Sequence, residues 1–221
     1  MSTPKIILLP ILGAFLLIVP APALPQAAEG TDVEESPISG DPAAPRRHFR
    51  LLYPAKLSPR RAAEIYALVR QALQAGYARS GNATAAGYQR WRRFNTAPYL
   101  SAAHGNHYLN NYVNELGAAA YGRFEMAGKL PVGTIIAKDS FSVTRSGEIV
   151  LGGLFVMQKM PAGFSYVSGD WKYTYIQADG TLFGETHGTG SKKVEYCIGC
   201  HLAVERQDHL WFLPKRYRVP P

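Results

Sequence analysis

Thr134-Ile135-Ile136-Ala137-Lys138-Asp139-Ser140-Phe141-Ser142-Val143-Thr144 reads as one β-strand, and Ile149 to Met160 reads as the next, with Arg145-Ser146-Gly147 as the turn between them. Both runs are rich in β-branched and aromatic residues, which suit a pleated, half-buried surface. Trp171 to Gln177 alternates aromatic with polar residues, and Asp179-Gly180 is a hairpin signal before Leu182-Phe183. Upstream the pattern is helical. Ser58 is placed to cap a helix whose first residue is Pro59, where the missing N–H costs nothing. Ile65, Leu68, Ala72 and Leu73 form its apolar stripe, and Gly76 is the expected stop. A weaker helix is expected from Ala83 to Arg93. From His104 to Asn114, Tyr, Val and Leu interleaved with Asn favour a strand. Asn114 then caps a helix from Glu115 to about Met126 with Leu116, Ala120, Tyr121 and Phe124 inward, and Ala203 to Phe212 reads as a short closing helix. Helices first and hairpins later make the fold class α+β, an antiparallel β-sheet domain preceded by two or more packing helices.

The first 23 residues read as a cleaved signal peptide: Lys5, an apolar run from Ile6 to Val19, then Pro20-Ala21-Pro22-Ala23 with small residues for the peptidase. That run falls short of the roughly 20 apolar residues that span a bilayer, so an uncleaved anchor is the lesser alternative. Residues 24–56 are expected to form a flexible tether, since Glu29 to Pro45 is acidic, Pro/Gly-rich and poor in apolar groups. Residues 57–103 make a helical N-terminal extension, and 104–221 the main domain. The formal net charge of +8 is moderate. No dense basic run with interleaved aromatics argues for nucleic acid, and none is expected as a partner.

The chain has only two cysteines, in Cys197-Ile198-Gly199-Cys200-His201. Two thiols three positions apart, followed by an imidazole, match the attachment pattern of one c-type haem. Each thiol adds across one vinyl group, and His201 is then the expected proximal ligand of the iron. A dithiol redox pair would not need His201. A zinc site would need two more ligands at finger spacing, and a disulfide across two residues would stabilise little.

Leu130-Pro131-Val132-Gly133-Thr134-Ile135-Ile136-Ala137-Lys138, the Gly169-Asp170-Trp171 strand entry followed by Ala178-Asp179-Gly180, and the terminal Cys-x-x-Cys-His together resemble the cytochrome P-460 family of exported mono-haem proteins. The resemblance covers about Gly105 to Phe212. It implies an antiparallel sheet carrying the haem, often dimeric, with the side of the iron opposite His201 open. It also implies a role for Lys138, since in some members a lysine of this motif is covalently linked to the porphyrin; taken alone, a strand lysine points at solvent. Members that oxidise hydroxylamine carry a distal carboxylate on the strand after the lysine strand. No acid lies between Ile149 and Ser168 here, and Phe155 stands at the matching position. An aromatic there resembles the related cytochromes c′ of the beta type, with Phe155 as a cap over a pocket for small apolar gases; otherwise it is core.

Two functions stay open. One is an oxidoreductase acting on hydroxylamine or nitric oxide in the periplasm, passing electrons to a periplasmic partner. The other is a non-enzymatic gas-binding or electron-transfer cytochrome. Met126, Met157, Met160, His104, His107, His187 and His209 are the candidates for an internal sixth ligand. Trp171 and Tyr173 are expected to pack against the haem or under the sheet.

Overall fold

The structure is a computed structural model and describes residues 45–220. The expected signal peptide and residues 24–44 of the expected tether lie outside the described residues. Strand β4 (Ile135–Val143) pairs antiparallel with β3 (His107–Val113) on one side and β6 (Leu154–Lys159) on the other. Beyond β6 come β7 (Trp171–Ile176) and β8 (Leu182–Glu185). Two short strands, β1 (Arg92–Arg93) and β2 (Tyr99–Ser101), pair with β3, and β5 (Ile149–Leu151) pairs with β4. The result is one eight-stranded antiparallel sheet in the order β1-β3-β4-β6-β7-β8, so the α+β expectation holds. The sheet also crosses the boundary expected at residue 103, because β1 and β2 belong to it. The strand expected as one run from Ile149 to Met160 is two, broken at Gly152-Gly153. A Cβ at Gly153 would run into the Tyr175 ring, and one at Gly152 into Ser140.

Side-chain alternation along β4 gives the sheet two different faces. Ala137, Asp139 and Phe141 face helix α1 (Pro59–Ala78), which buries Ala62, Ile65, Tyr66, Leu73 and Tyr77 against them. Asp139 is wholly buried there and accepts from Tyr66 Oη (2.6 Å), Tyr88 Oη (2.9 Å) and Asn110 Nδ2 (2.9 Å). Ile136 and Lys138 point to the other face, with Phe155, Met157, Trp171 and Tyr173.

Ser58 caps α1 as expected, accepting from the Arg61 N–H at 3.2 Å. The rest of the α1 reading needs correction. Leu68 is 74% exposed and Ala72 also faces solvent, so the buried stripe runs through Ala62, Ile65, Tyr66, Leu73 and Tyr77 instead. Gly76 does not stop the helix, which continues to Ala78. A side chain at Gly76 would collide with the Ala178 carbonyl oxygen in the β7–β8 hairpin, so this glycine permits a close approach.

Helix α2 (Ala83–Gly87), capped by Asn82, ends well before Arg93, and a 3-10 turn over Tyr88–Arg90 leads into β1. Asn114 caps α3 (Glu115–Tyr121) through the Gly117 N–H. That helix is shorter than expected because Phe124 has φ 51°, through which an α-helix cannot continue, so Phe124–Met126 form a separate 3-10 turn, and Leu116 faces solvent.

Helix α4 (Glu195–Leu202) carries the two cysteines and His201. The closing helix expected over Ala203–Phe212 is absent. Asp208 (φ 54°) and His209 (φ 60°) are both left-handed and force an irregular loop, with one 3-10 turn at Glu205–Gln207. Residues 45–56, expected as the end of a tether, lie against the domain: Leu51 is 5% exposed and its N–H donates to Gly105 O at 3.0 Å.

Gly76→Ala separates the two meanings of that glycine. At a free helix site alanine would add up to about 1 kcal/mol of stability. Here urea unfolding is expected to show a loss of roughly 1–3 kcal/mol, the cost of forcing atoms into a filled space.

Candidate functional site

A cavity of about 660 Å³ opens on the sheet face away from α1, within the roughly 300–1,000 Å³ usual for ligand and cofactor sites. Cys197, Cys200 and His201, spaced i, i+3 and i+4 on α4, share one helix face and all line it. From the sheet come Ile136 and Lys138 (β4), Phe155 and Met157 (β6), and Tyr173 and Tyr175 (β7). The two thiols do not form a disulfide with each other, and burial together with its neighbour Cys200 pushes the Cys197 thiol up to about 12.

His201 is 7% exposed, and its Nδ1 lies 2.6 Å from the His209 carbonyl oxygen. A carbonyl can only accept, so Nδ1 carries the proton and Nε2 keeps its lone pair for a metal. Burial, helped by the Lys138 charge, depresses this imidazole to about 4 and keeps it neutral. Tyr173 packs edge-on to the His201 ring at 5.2 Å, and its hydroxyl is buried with no partner among the described residues. An orphaned hydroxyl beside a neutral imidazole and two thiols fits a large, flat, partly polar group. A haem fits this donor set, with the thiols for its vinyl groups, Nε2 for its iron and an otherwise apolar wall for its ring.

The loop that presents the His209 carbonyl is locked. Lys159 Nζ lies 2.5 Å from Asp208 Oδ1 and donates to Gly169 O at 2.8 Å. Asp208 Oδ2 accepts from the Leu130 N–H (2.9 Å), and its carbonyl accepts from Trp171 Nε1 (2.8 Å). Trp171 therefore packs in the core on the cavity's face of the sheet but outside its lining, whereas Tyr173 lines it.

Lys138 and Phe155 are direct cross-strand partners. Lys138 is 5% exposed and has no hydrogen bond or ion pair among the described residues. The neighbouring acid, Asp139, cannot neutralise it because alternation sends the two to opposite faces. Burial alone lowers the Lys138 amine to about 8. Phe155 stacks on Tyr175 at 4.8 Å.

Of the other candidates, His104 and Met157 line the cavity. His107 is bound to Ser142 at 2.7 Å and lies outside it, Met126 is 81% exposed, His187 packs on Phe164, and neither Met160 nor His209 lines it. Sequence reasoning missed His48, Tyr175 and Tyr196. His48 lies against Phe155 (4.8 Å), Tyr175 (5.8 Å), Tyr196 (4.7 Å) and His104 (5.4 Å). The available signal was the change at residue 46 from an acidic, apolar-poor stretch to Arg46-Arg47-His48-Phe49. Burial, with His107, His201 and Lys138 nearby, depresses His48 to about 3, and burial also holds His104 well below its ordinary value. No aspartate or glutamate lines the cavity among the described residues.

The Cytochrome P460 family model matches residues 85–212, more than half of the chain. The chain belongs to the Cytochrome P460 family. Membership makes it a haem cytochrome of the c type, and the cavity, the thiols and His201 all lie on or against the matched span. No curated protein matches the chain.

The bare charge on Lys138 has a measurable consequence. Its folded value near 8 lies below the unfolded value of 10.5, so the native state resists protonation and the penalty is complete below pH 8. In a Cys197→Ser/Cys200→Ser background, Lys138→Met is expected to raise the unfolding free energy at pH 7 by on the order of 3 kcal/mol. Urea unfolding should show that advantage shrinking from pH 8 upwards and vanishing by about 10.5; an advantage independent of pH would rule out the buried charge as its cause.

Proposed function

We propose that one haem c is held in this cavity by thioethers to Cys197 and Cys200 with His201 as proximal ligand, and that the cytochrome binds or oxidises small nitrogen species such as hydroxylamine or nitric oxide. The observation that carries this reading is that one cavity collects both thiols, His201, Lys138 and Phe155. The bound haem would supply the redox change and the coordination position for a small ligand. The chain's residues supply the setting. The His209 carbonyl fixes the tautomer of His201. Phe155 and Tyr175 give the pocket an apolar wall that excludes water. Lys138, desolvated and without a counter-ion, loses its proton far more easily than an ordinary lysine and is a neutral amine from about pH 8 upwards. Such an amine is a nucleophile suited to a link with the porphyrin edge. Replacing a ring C–H by C–N in that way removes two electrons and two protons, so it needs an oxidant such as a peroxide.

Export to the periplasm, a redox partner there and homodimerisation belong to the same reading. Among the described residues, no helix is long and apolar enough to cross a membrane. A gas-binding or electron-transfer cytochrome is the second reading, favoured by the acid-free lining and the Phe155–Tyr175 stack.

The test is the visible spectrum of ferric holoprotein and of its Lys138→Arg variant, followed by anaerobic addition of hydroxylamine or nitric oxide. A Soret band red-shifted in the native protein and reverting in the variant establishes the lysine link. Haem reduction by hydroxylamine supports oxidation, and a response to nitric oxide alone supports gas binding. Indifference to both contradicts the proposal.

A further inference from the structure

The segment Arg46–Leu51 belongs to no helix or strand, yet it is built into the cavity wall. Leu51 donates to Gly105 O (3.0 Å) and its carbonyl accepts from Asn106 Nδ2 (2.7 Å). Phe49 packs edge-on to Phe183 of β8 at 5.9 Å. Gly105, with φ 73°, has the Phe49 carbonyl so close that a side chain would collide with it. These contacts tie the segment at Phe49 and Leu51, beside β3 and at β8, and Arg47 and His48, which immediately precede them, line the cavity.

His48 is anchored at the same ring nitrogen as His201, but by a hydroxyl that can donate or accept, so Nε2 is the lone-pair nitrogen when the tyrosine oxygen accepts from Nδ1–H. Its Nδ1 is held by a hydrogen bond with the Tyr196 hydroxyl at 2.8 Å, and Tyr196 immediately precedes Cys197. Its Nε2 has no partner among the described residues. An imidazole with one nitrogen anchored and the other free is the arrangement typical of a metal-ligating histidine. His104 has its Nδ1 held by Ser101 Oγ at 2.9 Å, but it touches His48 and Phe155 rather than the attachment helix. Met157, the third donor on the wall, is an ordinary member of the strand core.

We propose that His48, carried by the strap Arg46–Leu51, is the internal sixth ligand of the haem iron when no small molecule is bound. The inference rests on the cavity being the haem site. Two neutral imidazoles would then hold the resting cytochrome low-spin, and a small ligand would bind by displacing His48 as the strap moves. The strap, like a lid, would set how fast ligands enter. His48 is thus a ligand that selects against weak binders, since each must outcompete an imidazole already in place.

The experiment uses matured, full-chain holoprotein with haem content measured as the pyridine haemochrome. Ferric native protein is expected to be low-spin by electron paramagnetic resonance, His48→Ala high-spin, and added imidazole should restore the low-spin signal. His104→Ala and Met157→Leu should stay low-spin. Carbon monoxide binding to the ferrous native protein should saturate in rate at high ligand concentration, the limit being release of His48, and should become linear in His48→Ala. High-spin native protein, or low-spin signals retained in His48→Ala, overturns the assignment while leaving the haem site intact. Protein that acquires no covalent haem overturns the site itself and this inference with it.

Discussion

The buried ion pair between Lys159 and Asp208 is the contact on which the site depends. Their side chains are 10% and 3% exposed, and removing one partner of such a pair typically costs about 3–5 kcal/mol because the other charge is left uncompensated. Here the pair also joins two parts of the chain. Lys159 ends β6, and Asp208 sits in the loop after α4, where it and His209 adopt left-handed backbone that costs of order 1–3 kcal/mol each. The Leu130 amide, Trp171 indole and Lys159 ammonium all converge on Asp208 and hold that strained loop. Its reward is the His209 carbonyl at His201 Nδ1. A sheet residue thereby fixes the orientation of an imidazole on a separate helix.

The same sheet separates two chemistries. On one face Asp139 is satisfied by two tyrosines and an asparagine under α1, and that face is a packing surface. On the other Lys138 is left bare in a cavity with neutral imidazoles and no acid. Adjacent residues of one strand thus have opposite fates, decided by the period-2 alternation. The unpaired amine destabilises the fold and is tolerated where the cavity needs a reactive or polar group, the pattern expected of functional sites.

Much of this was legible in the sequence because the signals were local. Ser58 and Asn114 cap helices through bonds three residues away, the strands that carry Lys138 and Phe155 were readable from their β-branched and aromatic residues, and the family resemblance singled out those two positions. The Cys-x-x-Cys-His spacing placed three donors together on any helix. What sequence did not disclose depends on distant partners. Gly76 looked like a helix stop because Ala178, about 100 residues on, is invisible locally. Ala203–Phe212 looked helical because the left-handed Asp208 and His209 are imposed by Lys159 and Trp171. His48 lies in a segment that follows a disordered-looking composition, and its anchor Tyr196 is 148 residues away.

The central claim is that α4 holds a haem through both thiols. The direct measurement is the mass of the tryptic peptide 194–206, which follows Lys193 and ends at Arg206, taken from protein matured in an exporting host. The account requires that peptide to carry one haem on Cys197 and Cys200 together, with no free thiol. A peptide with two free thiols, or with the two joined as a disulfide, would contradict it.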